Sequence, residues 1–310
     1  MNDSTARIFC GADRSQQLPF EVLSWSIRRH ASLPVEIRMF DNGSAPTPAD
    51  PRHSAYTEFS FARFAIPALC GFEGKAVYID SDMLVFGDIA ELWRTPMQGA
   101  RIAIEIGSRN QADHGKHAAV MLLDCARLDW HVDRIVGGLG MHYDYNALMA
   151  IDPLLEPGDM QERIASGWND LDHFDPARTR NLHFTEIRTQ PWVHAGHPHG
   201  SLWVDAVRAM LGDRSVSEAM IREEVALGHV RPSLLVELGL ESVGGHDAAA
   251  LQQYDHERDF VAHRRLLARF AARKHAIRRV RCDEASVRQP WFAPLYRLAL
   301  RLRERREGNR

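Results

Sequence analysis

Two aspartates stand one residue apart in the stretch Lys75–Trp93, KAVYIDSDMLVFGDIAELW, directly after an apolar run that is typical of a buried strand. Residues i and i+2 of an extended chain point the same way, so Asp80 and Asp82 can face one ion. Burying unpaired carboxylates is costly, and a cation, a metal ion or solvent must compensate them. Two oxygen ligands suit Mg²⁺ or Mn²⁺, which would bridge to a diphosphate. The alternative for a lone Asp-x-Asp pair is that Asp80 caps a helix and Asp82 is solvated.

Short apolar runs alternate with helix-like stretches, and they predict the elements that hold this pair. Five runs predict strands: ARIFCGAD, VEIRMFDN, KAVYIDSD, ARIAIEIG and AAVMLLD. Most are continuously apolar, which favours a sheet covered on both faces. LPFEVLSWSIRRHAS predicts a helix, and FSFARFAIPALCGF predicts another that kinks or ends near Pro67. We expect an α/β fold with a mostly parallel central sheet flanked by helices, in which ligands bind outside the carboxyl ends of the strands.

The charge distribution separates the C-terminal segment from the rest of the chain. The 310 residues have a formal net charge of only −3, but residues 260–310 contain fifteen Lys and Arg against four Asp and Glu. In this segment an apolar stripe bordered by arginines has helical spacing and consists of Leu295, Leu298, Ala299 and Leu302. We expect a first domain over residues 1–235 and a helical basic tail over 236–310.

Basic charge beside an apolar stripe suits an anionic membrane surface, and we expect the tail to contact one. The alternative is a helical appendage that packs on the domain or on a second subunit. Nucleic acid is not an expected partner, because the rest of the chain is acidic and no nucleic-acid motif is present.

The cysteines and the apolar segments indicate the compartment. The four cysteines are far apart and form no CxxC pair, which favours reduced thiols over a disulfide or zinc framework. The first residues, MNDSTARIFCGAD, have no apolar run of signal-peptide length, and no later segment reaches the roughly 18 apolar residues of a membrane span. We therefore expect a cytoplasmic protein that lies peripherally on the cytoplasmic membrane face.

Three separated motifs resemble glycosyltransferase family 8. RFAIPALCGFEGKAVYIDSDMLVFGDIAELW is similar to the family's central signature, in which an Arg-containing helix with Pro precedes a strand ending in Asp-x-Asp. LHFTEIRTQPW is similar to the family's His-x-x-Gly-x-x-Lys-Pro-Trp motif, with His183, Pro191 and Trp192 as matches. IFCGAD resembles the nucleotide-binding first strand, and the resemblance spans about Ile8 to Leu235.

The resemblance implies a GT-A fold and transfer of a glycosyl group from a nucleotide sugar, usually a UDP-sugar, with retention of configuration. It implies that Asp80, Asp82 and His183 bind Mn²⁺ or Mg²⁺. A metal ion there neutralises charge on the departing diphosphate, and a neutral imidazole is a reasonable third ligand. The remaining residues that the resemblance assigns to donor binding are Ala12 and Asp13 for the uridine, Arg63 for the diphosphate or sugar, Ser81 for the ribose, and Gln190 at a diphosphate position.

This chain departs from the family pattern at several positions. In the His motif the Gly is replaced by Glu186 and the Lys by Gln190, so a cation expected at the diphosphate is missing. HYDYNALMA resembles the family's DQDALN segment near the reacting centre, and it makes Asp144, Tyr145 and Asn146 the candidate catalytic residues. Their alternative role is simple helix-start chemistry before ALMAI.

Retention without an obvious carboxylate nucleophile is usually explained by front-face attack, in which the protein stabilises an oxocarbenium-like centre. The acceptor implied is a glycan or a lipid-linked glycan precursor. Two other functions stay open at this point. The altered motif positions suggest a catalytically weak nucleotide-sugar-binding or scaffolding protein. A more distant alternative is a phosphatase of the haloacid dehalogenase type, which also uses an Asp-x-Asp pair after a strand.

Overall fold

The computed structural model describes residues 5–41, 43, 45–108 and 116–308 of the chain, with side chains as far as residue 304 except that of Lys116. Its centre is a six-stranded sheet in the order β2-β1-β3-β6-β5-β7. These strands are β1 (Ala6–Gly11), β2 (Val35–Phe40), β3 (Lys75–Asp80), β5 (Ile102–Glu105), β6 (Val120–Asp124) and β7 (Met160–Ile164). β6 runs antiparallel to β3 and β5, whereas the other neighbours pair in parallel. The mostly parallel α/β sheet and all five predicted strands are confirmed.

A second, three-stranded sheet joins distant parts of the chain in the order β4-β9-β8. It consists of β4 (Met83–Val85), β8 (Asp170–Leu171) and β9 (Asn181–His183). β4 and β9 are antiparallel and their register places Met83 opposite His183. The backbone N–H of Phe184 donates to the carbonyl of Asp82 at 2.9 Å. This small sheet therefore brings the Asp-x-Asp pair and the His motif to one place.

Helices cover both faces of the central sheet. One apolar cluster on the sheet includes Phe64, Tyr78 and Met121, and another includes Leu23, Val77 and Leu122. The predicted helix LPFEVLSWSIRRHAS is α1 (Gln17–His30). The segment around Pro67 forms a 3-10 turn over Ala62–Ala65 followed by the short α2 (Ile66–Leu69), so it is a shorter helix than the sequence predicted. The remaining helices of this part are α3 (Ile89–Trp93), α4 (Val132–Gly137) and α5 (Tyr145–Met149).

The C-terminal third is helical. It contains α6 (Gly200–Asp213), α7 (Glu218–Ala226), α8 (Ser233–Glu237), α9 (Ala248–His256), α10 (Arg264–Arg288) and α11 (Ala293–Gly308). The expected boundary at residues 235/236 falls inside α8, and Leu251 and Tyr254 of α9 are still buried. Beyond residue 256 only Ser286 is buried among the described side chains. Within the described ranges, no helix is long and apolar enough to cross a membrane.

α10 packs along the segment that follows β2 rather than extending away from the molecule. Its Arg269 pairs with Glu58 at 2.7 Å, and the Arg273 guanidinium donates to the carbonyls of Ser54 and Arg52 at 3.2 and 2.6 Å. These contacts fix the long helix on the loop that connects β2 to the 3-10 turn before α2.

Candidate metal centre and active-site cavity

Three potential metal ligands converge at the edge where β3 and β9 end. Asp80 is the last residue of β3, Asp82 follows two positions later, and His183 is the last residue of β9. One ligand atom from each of these residues lies within 4.8 Å of the others. The imidazole Nε2 of His183 is 3.1 Å from Oδ1 of Asp82. The structure thus assembles the three ligands that the resemblance implied, although His183 lies about 100 residues along the chain from the aspartates.

This donor set fits a small divalent cation. Oxygen and imidazole ligands at close quarters suit Mg²⁺ or Mn²⁺. Two neighbouring ligands of an octahedral cation at about 2.1 Å lie roughly 3 Å apart, which matches the separation between Asp82 and His183. Burial disfavours the charged imidazolium, but the carboxylates of Asp82 and Asp80 outweigh this and raise the pKa of His183. A cation would therefore compete with a proton for the space between these groups.

Asn169 fixes the orientation of His183. The imidazole Nδ1–H donates to Oδ1 of Asn169 at 2.9 Å, and both side chains are buried. With the proton held on Nδ1, the lone pair of Nε2 points toward Asp82. A second partner of this kind sets the tautomer and ring orientation of metal-binding histidines. Asn169 belongs to WNDLDHF, and sequence reasoning did not assign it to the site.

Asp80 is held by Tyr78 and Arg63. The Tyr78 hydroxyl donates to Oδ1 of Asp80, and the Arg63 guanidinium lies 3.5 Å from the same oxygen. Burial raises the pKa of Asp80, although the positive charge of Arg63 opposes this shift. Arg63 also donates to the Tyr78 hydroxyl at 3.0 Å and to the carbonyl of Ala118 at 3.1 Å. Its Nε is buried and has no hydrogen-bond partner among the described residues.

Besides Asp80 and His183, Gln190 is also a neighbour of Asp82. The amide Nε2 of Gln190 donates to Oδ2 of Asp82 at 3.0 Å and to the carbonyl of Phe184 at 2.8 Å. Oε1 of Gln190 lies 2.9 Å from Nε2 of His263, the residue before α10. Burial lowers the pKa of His263. The residue at the family's Lys position is therefore a hydrogen-bonding bridge between Asp82 and α10.

The three potential metal ligands lie in the wall of one cavity of about 300 Å³. Seven of the residues named from the sequence lie in its wall: Arg63, Asp80, Ser81, Asp82, Tyr145, His183 and Gln190. Ser81 is buried, and its hydroxyl donates to Oε1 of Gln16 at 3.3 Å. One side of the cavity is closed by His263 together with Leu266 and Phe270 of α10.

Tyr145 contributes an aromatic wall. Its ring contacts Tyr56 with a centroid separation of 4.9 Å, and Arg273 of α10 lies over the Tyr56 ring at 4.1 Å. Burial raises the pKa of Tyr145, so the phenol stays neutral. The ring is therefore packed between the loop and the basic helix at the cavity edge.

Four other candidate residues do not line this cavity. Ala12 is buried just after β1, and Asp13 caps the following 3-10 turn by accepting from the backbone N–H of Ser15 at 2.8 Å. Asp13 also borders a small notch with two arginines of α10. Asp144 caps α5 by accepting from the N–H of Ala147 at 2.8 Å, and Asn146 is exposed. The assignments of these four residues stay predictions.

Comparison with known proteins gives the family relationship. The model of glycosyl transferase family 8 matches residues 15–119. Over 90 residues the chain is 36% identical to Protein CDI of Arabidopsis thaliana, an alignment that covers 28% of this chain and 35% of that protein. Over 86 residues it is 34% identical to Glycosyltransferase 8 domain-containing protein 1 of Mus musculus, covering 28% of this chain and 18% of that protein. The matched segments thus span about a third or less of these relatives.

The structural comparison shows the fold. The glycosyltransferase GlyE of Streptococcus pneumoniae TIGR4 aligns over 74% of this chain and 65% of that chain, with a TM-score of 0.50 and 15% sequence identity. The predicted GT-A fold is confirmed. The similarity to family 8 extends over residues 15–119, a region that contains Asp80 and Asp82 and ends before His183.

Proposed function

We propose that this chain, which carries a family 8 glycosyl transferase region, is a metal-dependent retaining glycosyltransferase. It moves a hexose from a nucleotide sugar, in our proposal a UDP-sugar, to a glycan or glycolipid acceptor. The observation that carries the proposal is the convergence of Asp80, Asp82 and His183 in one cavity of a GT-A fold.

The charges of the cavity support a diphosphate donor bound with Mn²⁺ or Mg²⁺. Asp80 and Asp82 alone would repel a diphosphate, so a cation between protein and donor is required on electrostatic grounds. When bound, the metal ion acts as a Lewis acid that stabilises charge on the departing diphosphate. Arg63 is fixed beside Asp80 in the cavity wall, and a rigid guanidinium suits phosphate or sugar oxygens.

The chain's own residues hold the ligands before the donor arrives. Tyr78 and Arg63 orient Asp80, Gln190 orients Asp82, and Asn169 orients His183. Such preorganisation avoids the cost of arranging polar groups during the reaction. Of the three candidate catalytic residues, Tyr145 lines the cavity and would border the reacting sugar, whereas Asp144 and Asn146 lie at the exposed start of α5.

We also propose that α11 lies on the cytoplasmic face of an anionic membrane, where a lipid-linked acceptor would be reached. Trp291 is 93% exposed, and Leu295, Leu298 and Leu302 are each more than half exposed on one stripe. Arginines border this stripe, and a basic amphipathic helix with an aromatic edge is typical of interfacial membrane binding.

A nucleotide-sugar-binding protein with little turnover is the second candidate function. It is favoured by Gln190, which occupies the family's Lys position and is already engaged by Asp82 and His263. Under this alternative UDP binds with Mn²⁺, but no donor of a nucleotide-sugar panel is turned over.

A thermal-shift panel of nucleotide sugars, with and without Mn²⁺, tests the proposal. A true donor at 100 times its Kd stabilises the folded state by about 2.7 kcal/mol, and we expect this only when Mn²⁺ is present. The stabilised donor is then assayed for hydrolysis and transfer. Asp82→Asn should abolish both the shift and the turnover, whereas Asp133→Asn, on the exposed face of α4, should change neither. Full turnover by Asp82→Asn would refute the metal assignment.

A further inference from the structure

We propose that His263 is a positioning residue of the metal centre and that it acts on Asp82 through Gln190. The inference rests on the proposed metal site. The start of α10 then helps to hold the metal ligands in position, whereas the sequence predicted that this segment belongs to a separate basic tail.

The hydrogen-bond pattern of Gln190 defines the direction of the contacts. Its Nε2 faces two acceptors, Oδ2 of Asp82 at 3.0 Å and the carbonyl of Phe184 at 2.8 Å, so both amide protons are used. Its Oε1 is left to accept, and the group that faces it at 2.9 Å is Nε2 of His263. His263 must therefore carry a proton on Nε2 and donate it. The reverse amide orientation would place an oxygen against two acceptors and is excluded on that ground.

This pattern determines which oxygen of Asp82 faces the metal position. Gln190 is buried and holds Oδ2 of Asp82, so Oδ1 is directed toward His183, 3.1 Å away. Without His263 the Gln190 amide loses one of the three contacts that hold its side chain in place. The carboxylate of Asp82 could then rotate, and the ligand geometry would be less well defined. Hydrogen-bonded partners behind metal ligands commonly tune affinity in this way.

The backbone conformation of His263 is unusual and directs its imidazole toward Gln190. His263 has φ +50° and ψ 37°, in the left-handed region that L residues other than Gly seldom occupy. Such conformations persist where the surroundings compensate their cost, and they cluster at functional sites. Here the conformation aims the imidazole at Gln190 just before α10 begins. Leu266 and Phe270 line the same cavity, and Arg269 anchors the helix on Glu58.

The role differs from that of a Lys at the family's position. A Lys would bring a charge to the diphosphate, whereas Gln190 brings no charge and joins Asp82 to His263, which lies 73 residues beyond Gln190 in the chain. The metal centre of this chain therefore depends on a residue from beyond α9. A chain that ended at residue 256 would lack it.

Mn²⁺ binding to the full-length protein, measured by electron paramagnetic resonance with and without UDP, tests the inference independently of turnover. We expect His263→Ala to weaken Mn²⁺ binding at least about tenfold, by loss of an outer-shell partner. His263→Gln keeps a donor at similar reach and should restore most of the affinity. Lys274→Ala removes a cation from the exposed face of the same helix and should bind Mn²⁺ as the wild type does.

A double-mutant cycle separates positioning from general destabilisation. If His263 acts through Gln190, the variant Gln190→Ala/His263→Ala should bind Mn²⁺ no more weakly than Gln190→Ala alone. Wild-type affinity in His263→Ala, or additive losses in the double variant, would overturn the inference and leave the proposed function intact. A wild-type protein that binds no Mn²⁺ under either condition would overturn the proposed metal dependence, and this inference with it.

Discussion

Replacing Asn169 should weaken the proposed metal centre without changing any of its three proposed ligands. In the folded protein Asn169 is 2% exposed and His183 is 4% exposed, and the bond from Nδ1–H of His183 to Oδ1 of Asn169 is 2.9 Å long. In Asn169→Ala the Nδ1–H has no acceptor in this direction, and water does not readily reach it. The imidazole can then rotate, or move its proton to Nε2, the nitrogen that faces the metal position.

Two independent estimates give the same size of effect. An unsatisfied buried donor costs about 1–3 kcal/mol. Loss of an outer-shell partner usually lowers metal affinity about 10- to 100-fold, which corresponds to roughly 1.4–2.8 kcal/mol. We therefore expect the Kd for Mn²⁺ to rise at least about tenfold in Asn169→Ala. Asn169→Asp keeps an acceptor and adds a negative charge behind the imidazole, so it should retain wild-type affinity or bind more tightly.

The assay is an Mn²⁺ titration followed by electron paramagnetic resonance, at a temperature where each variant is folded. Asn181→Ala is the matched control, because Asn181 is also buried and donates to the carbonyl of Trp168 at 2.9 Å, with no bond to the His183 side chain. It should lower the melting temperature and leave the Kd unchanged. An Asn169→Ala protein with the wild-type Kd would show that the Asn169 bond does not set the orientation of a metal-binding His183.

Three further predictions concern other parts of the molecule. Burial raises the pKa of Glu105 from 4.5 to about 7, so its ionisation destabilises the fold progressively from pH 4.5 to 7, by about 3 kcal/mol in full. The free energy of unfolding of Glu105→Gln, measured in urea, should therefore rise relative to that of the wild type between pH 5 and pH 8. A difference in unfolding free energy that does not change over this range would contradict the raised pKa of Glu105. Tyr78→Phe removes the hydroxyl that donates to Asp80. It should lower the free energy of unfolding by about 1–2 kcal/mol and weaken Mn²⁺ binding. If neither quantity changes, Arg63 alone is enough to hold Asp80. Leu295→Glu/Leu298→Glu should lower binding to anionic vesicles more than tenfold in a sedimentation assay, since each Leu that is buried in the membrane contributes about 1.5–3 kcal/mol. Undiminished binding would refute the proposal that α11 lies on a membrane.

Five of the six strands of the central sheet could be predicted, chiefly because the inner strands are covered on both faces, whereas the polar edge strand β7 (MQERI) was not predicted. Runs such as KAVYIDSD and AAVMLLD are continuously apolar, and that pattern needs no knowledge of the neighbouring strands. β4, β8 and β9 were not predicted because they are two or three residues long and are defined by pairing across the chain. The small sheet that joins Asp82 to His183 is therefore visible only in three dimensions, although the resemblance indicated both of its ends.

The supporting residues of the site differ in how far the sequence could reveal them. Tyr78 lies two positions before Asp80 on one strand, so the alternation of side chains gave a signal that it faces the same way. Asn169 and His263 gave none, because each acts on a partner that is distant in the chain and stands in no motif of the site. The sequence around Phe270 and Arg273 predicts a basic helix. Its periodicity does not indicate which part of the protein the helix packs against.

Gln190 shows what a single departure from a motif means once its neighbours are known. From the sequence it is a lost cation at a diphosphate position. In the structure its amide is saturated by Asp82, Phe184 and His263, so it holds Asp82, a proposed metal ligand, and contributes no charge to a donor. In the proposed enzyme, neutralising the diphosphate then falls to the metal ion and to Arg63. With Gln190 in place of the family's Lys, the positive charge that the diphosphate needs comes from the ion rather than from this side chain. The position of that ion then depends on His263 at the start of α10.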